Sequence, residues 1–271
     1  YKMNYSSTTA DNRGVLLFGG YQWDAMSGAE IAQGHNSAFV DKQNRSFVVY
    51  HTRFSNGGEG HQVRVHQLFL NDEGWLMAAP FEFDGETITD AAIASKASIA
   101  DADIAGDYQF MRHQYGQNTK AKAFETPVNI TLNADGTITG AENGTWKRIA
   151  GTDYIHLTIN DVVYRGVLVK QTIDYTNIPA IAISALSSSS GSLTMGQNNF
   201  TYQQEVWAVK ADAKAAIKYT VNNLTLPFAD GATLNGAPSL PTQGKMGANI
   251  SWKSSDTSIL SDDGTVKGRG K

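Results

Sequence analysis

The stretch that decides the fold is GHNSAFVD, at positions 34–41, followed by FVVYHTR at 47–53, VRVHQ at 63–67 and GWLMAAP at 74–80. Together they predict four strands, at about 36–41, 46–52, 63–70 and 75–83, separated by turn residues. Phe47 and Val49 lie on one face of the second strand, and Val48 and Tyr50 lie on the other. A sheet that is apolar on both faces must be covered on both, which is typical of a propeller blade packed between its neighbours.

The composition excludes several kinds of function but does not indicate a particular one. The chain has 271 residues, 41% hydrophobic and 18% charged, with a formal net charge of −4. That charge does not favour binding to nucleic acid or to an anionic membrane. The absence of cysteine excludes disulfides, thiolate metal sites and a cysteine nucleophile. No stretch approaches the roughly 20 apolar residues of a membrane span. Because the chain begins at Tyr1 in polar sequence, we expect the natural protein to extend upstream.

The remainder of the chain predicts two further regions. Eight candidate strands between about 106 and 209 lie at close spacing and predict a small barrel or sandwich. Residues 84–104 are rich in Ala, Asp and Ser and are typical of a linker, and 211–217 predicts a short helical connector. The last 57 residues or so are fewer than the roughly 100 of an immunoglobulin sandwich.

We therefore predict an all-β chain: a portion of a β-propeller, a small β-barrel and a partial immunoglobulin-like β-sandwich. The predicted boundaries are 1–84 for the propeller part, 85–104 for the linker, 105–210 for the barrel and 211–271 for the partial immunoglobulin-like module.

Four of the six histidines fall between positions 35 and 66. His35 follows a glycine, so its imidazole can approach a metal ion or a substrate closely; a hydrogen-bonded histidine at a strand end is the simpler interpretation. A zinc site built from His51, His61 and His66 is disfavoured, because Arg53 and Arg64 share strand faces with two of them. We interpret these three as structural strand histidines.

The carboxylates of the first region offer no obvious catalytic pair, which glycoside hydrolysis would normally need. None of them lies in an apolar sequence context that would raise a pKa, and most flank turns, so we predict solvated roles for Asp24, Glu30, Asp41, Glu59, Glu82 and Asp84. A nucleophile elbow, a phosphate loop and a dinucleotide fingerprint are all absent from the sequence.

The four segments at 34–41, 47–53, 63–67 and 74–80, in this order and at this spacing, resemble the last propeller blade of family 43 glycoside hydrolases, in particular the extracellular endo-1,5-α-L-arabinanases. The barrel region is similar to the C-terminal domain of the longer arabinanases, through GDY at 106–108, GTW at 144–146 and YRGV at 164–167. The segment ISWKSSD at 250–256, with GTV at 264–266, is similar to a bacterial immunoglobulin-like module.

The resemblance implies a five-bladed propeller that cleaves α-1,5-linked arabinan or arabino-oligosaccharides with inversion, in a secreted, extracellular bacterial enzyme. It implies three catalytic carboxylates on earlier blades, and no residue of this chain matches them, so we assign none here. The family's metal histidine matches His35, in a calcium site completed largely by water, with Asn36 and Ser37 beside the ion. The expected partner is the N-terminal propeller segment of the same enzyme.

Two other functions remain open from the sequence. A non-catalytic carbohydrate-binding or adhesion protein would use exposed aromatic rings to stack on sugars, and the candidates are Trp23, Trp75, Trp146 and Trp207. We predict core packing for Trp75 and Trp146. A metal-dependent hydrolase that uses the histidine cluster is the least favoured function.

Overall fold

The computed structural model describes residues 15–58, 60–113, 124–188, 193–195 and 200–267. It divides into two compact units, residues 1–211 and 212–271. In the first unit, the strands are β1 (Glu30–Val40), β2 (Ser46–Phe54), β3 (Gln62–Leu70), β4 (Leu76–Ala78), β5 (Gly106–Arg112), β6 (Val128–Leu132), β7 (Thr137–Gly140), β8 (Gly144–Arg148), β9 (Tyr154–Ile159), β10 (Val162–Thr172), β11 (Pro179–Ser187), β12 (Leu193–Met195), β13 (Phe200–Tyr202) and β14 (Glu205–Ala211). Two short helices, α1 (Asp90–Ser95) and α2 (Asp101–Ile104), precede β5.

The first four strands form an antiparallel sheet in the order β1-β2-β3-β4. This confirms the four strands predicted from the sequence, although β1 begins earlier and β4 is shorter than expected. Strand β1 is irregular, with register shifts between Ile31 and Gly34 and between Gly34 and Ser37. Such bulges insert extra residues into one strand and change the direction of its side chains.

Eight strands close into a barrel in the order β10-β11-β14-β5-β6-β7-β8-β9. Strand β9 illustrates how a barrel strand contributes to the interior: Ile155, Leu157 and Ile159 alternate with less buried residues, so their buried side chains lie on one face. The predicted small barrel is therefore confirmed, and its interior is filled by apolar side chains, among them Tyr108, Phe110, Ile130, Leu132, Tyr164, Leu168 and Val206. Strands β12 and β13 form a separate two-stranded sheet.

The segment interpreted as a linker is a packed part of the barrel. Ile93 is buried on α1, and Ile99 and Ile104 belong to the apolar core of the barrel. Thr89 caps α1 by accepting a hydrogen bond from the Ala92 amide, as expected of an N-cap threonine. The composition of 84–104 suggested a linker because its isoleucines are separated mainly by alanine, serine and aspartate.

The sheet and the barrel are joined within the first unit by buried polar contacts. The Ala78 amide of β4 donates to Glu205 Oε1 at 2.8 Å, and Gln171 Nε2 donates to the Phe81 carbonyl oxygen at 3.2 Å. A ring cluster adds apolar contact, because Phe18 packs against both His66 of the sheet and Trp207 of the barrel. This interface determines where the charged side chains of the sheet are buried.

The second unit, over described residues 212–267, contains helix α3 (Ala213–Asn223), a 3-10 turn at Lys245–Gly247 and two isolated bridges. Helix α3 is longer than the connector predicted at 211–217, and Asp212 caps it. The described residues of this unit form no paired strands of the kind that the expected partial immunoglobulin-like sandwich requires. In the described part of the whole chain, no helix is long and apolar enough to cross a membrane.

Candidate functional site

His35 lies at the second irregularity of β1 and has a positive φ of 50°. Ala32, beside the first irregularity, has a φ of 56°. Positive φ is uncommon for residues other than glycine, although histidine adopts it more readily than most. Residues 35–40 are all exposed, so the bulge presents the His35 ring to solvent rather than to the sheet interior.

The structure groups His35 with two other histidines. The His35 and His51 ring centroids are 5.8 Å apart, and those of His51 and His61 are 4.7 Å apart. Partial desolvation lowers the pKa of His51, and positive charge on His61 and His35 lowers it further. The prediction of purely structural roles for His51 and His61 did not foresee this row of rings, which forms because Gly34 pairs with His51.

The predicted neighbours of His35 also lie on the open side of β1. Asn36 and Ser37 are exposed, and Ser37 pairs with Val49 of β2. Their amide and hydroxyl oxygens are ligand types that calcium accepts. Among the described residues, no group of three or more histidines or carboxylates has the geometry to hold a metal ion.

His66 is separate from this row and has a structural role, as predicted. It is fully buried, with Nδ1 2.7 Å from the Ala79 carbonyl oxygen and Nε2 3.1 Å from the Tyr50 hydroxyl. Burial lowers the pKa of His66 to about 4. The ring is therefore neutral at physiological pH.

The predicted solvated roles of Glu30 and Glu82 are wrong. Glu30 is completely buried, and burial raises its pKa despite the adjacent Arg64 guanidinium. Arg64 Nε lies 3.3 Å from Glu30 Oε1 and also forms an ion pair with Glu82. The Glu82 amide donates to Asp174 Oδ1, at 3.0 Å, in the turn between β10 and β11. These carboxyls are brought together by the contact between the sheet and the barrel, which no local pattern in the sequence indicates.

Asp41 fits its predicted turn position. Its carboxylate accepts hydrogen bonds from the amides of Gln43 and Arg45, and its pKa is lowered through these and through the Arg45 side chain. Glu59, another predicted solvated carboxylate, lies outside the described residues.

The burial of the four candidate tryptophans differs in part from the prediction. Trp23 and Trp207 are completely buried and cannot stack on a sugar. Trp75, for which core packing was predicted, is 42% exposed, so that prediction is wrong. Trp146 packs partly against the barrel core, as predicted, and donates its indole N–H to the Asn133 carbonyl oxygen at 2.8 Å.

Comparison with protein families gives a match over residues 80–196 to the C-terminal lipocalin-like domain of family 43 glycoside hydrolases. The matched span runs from the end of the four-stranded sheet through most of the closed barrel. The barrel is therefore similar in sequence to this family 43 C-terminal, lipocalin-like domain. The family 43 resemblance seen in the barrel sequence is thereby confirmed.

Two named relatives match the sequence over a longer span than this domain. The chain is 40% identical over 177 residues to an extracellular endo-α-(1→5)-L-arabinanase from Thermotoga petrophila. It is 36% identical over 180 residues to extracellular endo-α-(1→5)-L-arabinanase 2 from Bacillus subtilis. These matches include 61% and 65% of this chain but only 35% and 36% of the relatives. The chain thus spans about a third of the length of the relatives it matches.

Solved structures agree with the sequence relatives. A crystal structure of the endo-1,5-α-L-arabinanase from Thermotoga petrophila, in complex with TRIS, matches with a TM-score of 0.58 and 36% identity, over 72% of this chain and 40% of that one. A family 43 glycoside hydrolase from Bacillus licheniformis, the YxiA protein, matches with a TM-score of 0.58 and 34% identity, over 72% of this chain and 39% of that one.

Proposed function

We propose that this chain is the C-terminal part of a secreted, extracellular bacterial glycoside hydrolase that cleaves α-1,5-linked arabinan with inversion. The observation that carries the proposal is the extent of the structural matches to arabinanases. They include 72% of the chain and so extend beyond residues 80–196, the span that matches the family 43 C-terminal domain. In this proposal the sheet β1–β4 is the last blade of a five-bladed propeller.

The exposed edge of the sheet supports the proposed N-terminal partner segment. Strand β1 is an edge strand of its sheet, and Phe39 and Val40 on it are 47% and 60% exposed. Natural proteins seldom leave a long apolar strand edge open, because it templates aggregation. A preceding blade of the same enzyme would cover this edge.

His35 is the residue that we propose as a calcium ligand, with Asn36 and Ser37 beside the ion. Its ring is exposed at a bulge, a feature that often directs a side chain into a functional site. The remaining ligands would be waters or groups of the rest of the enzyme. The ion would contribute fixed positive charge close to the bound sugar.

The catalytic carboxylates are proposed to lie outside this chain. Three described carboxyl groups of the sheet region contact arginine side chains and are not proposed as catalytic groups: Glu30 and Glu82 contact Arg64, and Asp41 contacts Arg45. An inverting mechanism needs an acid and a base on opposite sides of the scissile bond. The upstream propeller segment would have to supply both.

A chimaera tests the proposal directly. The part of the Thermotoga petrophila arabinanase that superposes on residues 15–211 is replaced by those residues, and reducing-sugar release from linear and debranched arabinan is measured. We expect a folded chimaera to hydrolyse both. A folded chimaera that binds arabinan without cleaving it would instead favour a carbohydrate-binding module.

The calcium proposal has its own variants within the same chimaera. His35→Ala should lower both the calcium content and the activity, whereas His61→Ala, an alteration in the same histidine row, should leave the calcium content unchanged. Equal calcium content in the His35→Ala and unaltered chimaeras would remove His35 from the site.

A further inference from the structure

Three carboxyl groups surround one guanidinium at the contact between the sheet and the barrel. Glu30 belongs to β1, Glu82 follows β4, and Asp174 lies in the turn between β10 and β11. Among the described residues, Arg64 is the cation that contacts the carboxyl groups of both Glu30 and Glu82. The guanidinium also donates through Nη2 to the Tyr175 hydroxyl at 2.9 Å, next to Asp174. If all three carboxyls were ionised, this partly buried cluster would carry two uncompensated negative charges.

The hydrogen bonds on the other side of Glu30 provide independent evidence for its protonation state. The Ala79 carbonyl can only accept, so His66 Nδ1 carries the proton of the neutral ring and Nε2 is an acceptor. Tyr50 lies 3.1 Å from that Nε2 and 3.2 Å from Glu30 Oε2, yet its hydroxyl has a single proton. Both contacts are hydrogen bonds only when Glu30 supplies the second proton.

We propose that Glu30 keeps a proton at neutral pH, which it donates to Tyr50, and that loss of this proton at higher pH weakens the attachment of the sheet to the barrel. The chain of donors then runs from Glu30 to Tyr50, from Tyr50 to His66 and from His66 to Ala79. The ionised form would break this chain and add a charge to a site that already holds Glu82 and Asp174.

The surroundings of Glu30 agree with this direction. Burial raises the pKa of Glu30, and burial with the neighbouring Glu82 and Glu30 charges raises that of Asp174. The groups that face the cluster are Tyr21 before β1, Tyr50 on β2, Arg64 on β3, Glu82 after β4, and Asp174 with Tyr175 in the barrel turn. Tyr21 and Tyr50 stay protonated, because burial raises the pKa of each phenol well above its usual value.

The sign of the pH dependence follows from the raised pKa. A carboxyl whose pKa is higher in the folded state than in the unfolded state binds more protons when folded. Its contribution to stability therefore falls as the pH rises from the unfolded value, about 4.3, through the folded one. This is opposite to the usual behaviour of a carboxylate held in an ion pair.

The Glu30→Gln variant tests the proposal, because glutamine reproduces the protonated carboxyl, with an N–H for Tyr50 and an oxygen for Arg64. Thermal unfolding of the full 271-residue chain is followed between pH 5 and pH 8. We expect the variant to unfold at about the wild-type temperature at pH 5 and roughly 2–4 °C above it at pH 8. Asp84→Asn, which makes the same charge change on an exposed loop, should show no such divergence.

Two results would overturn the proposal. One is a difference between Glu30→Gln and the wild type that stays constant from pH 5 to pH 8. The other comes from the wild type alone, so it does not depend on the folding of a variant. Carboxyl carbon NMR signals should include one that titrates well above the ordinary range of glutamate, and a spectrum in which every carboxyl has titrated by pH 5 contradicts the inference.

Discussion

Trp207 of β14 donates its indole N–H to the carbonyl oxygen of Ala78 in β4 over 2.9 Å, and both residues are fully buried. Residues 129 positions apart in sequence are thus joined by a hydrogen bond that neither can replace with water. The bond connects the last strand of the sheet to barrel strand β14. Glu205 on the same barrel strand accepts a hydrogen bond from the Ala78 amide. Sheet and barrel consequently share one buried polar interface.

Trp207→Phe should destabilise the first unit by about 1–3 kcal/mol, because it leaves a buried carbonyl without its donor. Urea unfolding followed by circular dichroism measures this change. Trp146→Phe is the matched control, since Trp146 makes an equivalent bond to Asn133 from a half-buried position that water can reach. A loss for Trp146→Phe equal to that for Trp207→Phe would show that burial of the bond is unimportant.

His113 should make the protein sensitive to acid. The ring is buried against Trp207, with centroids 4.1 Å apart, and accepts from the Gly19 amide. Burial lowers its pKa to about 3, so the folded state binds fewer protons than the unfolded state. The stability that depends on the neutral ring is complete above the unfolded value of about 6.5 and is lost as the pH falls towards 3, by up to about 4 kcal/mol.

The experiment compares His113→Gln with the wild type in urea unfolding from pH 7 down to pH 4. We expect the variant to be less stable at pH 7, through lost ring packing, but to lose less stability on acidification. His61→Gln, at an exposed position, should follow the slope of the wild type. A His113→Gln slope equal to that of the wild type would mean that His113 does not titrate in this way.

The strands of the sheet and the barrel could be predicted from sequence because their signals are local. In β9, for example, buried and less buried residues alternate between Tyr154 and Ile159, and turn residues bound the strand. The buried state of Glu30 could not be predicted in this way. It depends on Arg64 and on Tyr50, which come from different strands, and on the barrel turn at Asp174.

The same limit explains the other differences between expectation and structure. Ile99 and Ile104 enter the barrel core, and Ile93 is buried, only because the chain before β5 folds back on the barrel, which the composition of 84–104 does not reveal. The row formed by His35, His51 and His61 depends on the bulges of β1, and bulges leave little trace in an alternation pattern. Long-range contacts and register irregularities thus determine the candidate site.

Arg148 provides a prediction in which two partners of one side chain differ strongly in burial. It pairs with Asp153, whose side chain is 5% exposed, and with Asp101, whose side chain is 86% exposed. Asp153 also accepts from the Ser98 amide at 3.0 Å, which fixes the segment between α1 and α2. Asp153→Asn should cost about 3 kcal/mol, since it leaves the buried guanidinium with only the exposed Asp101 as its counter-charge.

Asp101→Asn is the matched variant, and we expect it to cost no more than about 1 kcal/mol, because exposed ion pairs contribute little. Chemical unfolding of both variants at neutral pH measures the difference. Similar losses for the two variants would indicate that the Arg148 cluster is solvated in solution.

Gly166 and Gly34 test whether a glycine is required by close packing or merely tolerated. A Cβ at Gly166 of β10 would lie 2.5 Å from Ala185 Cβ and also clash with the Ser184 carbonyl oxygen. A Cβ at Gly34 would meet nothing within 4 Å, although Gly34 precedes the proposed calcium ligand. Gly166→Ala should therefore destabilise the barrel by about 1–3 kcal/mol or more, through overpacking between β10 and β11. Gly34→Ala should leave the unfolding free energy unchanged within about 0.5 kcal/mol, because it meets no steric resistance. If Gly34→Ala destabilises the chain as much as Gly166→Ala, then β1 packs more closely at its bulge than the structure shows, and the exposure of His35 would have to be revised.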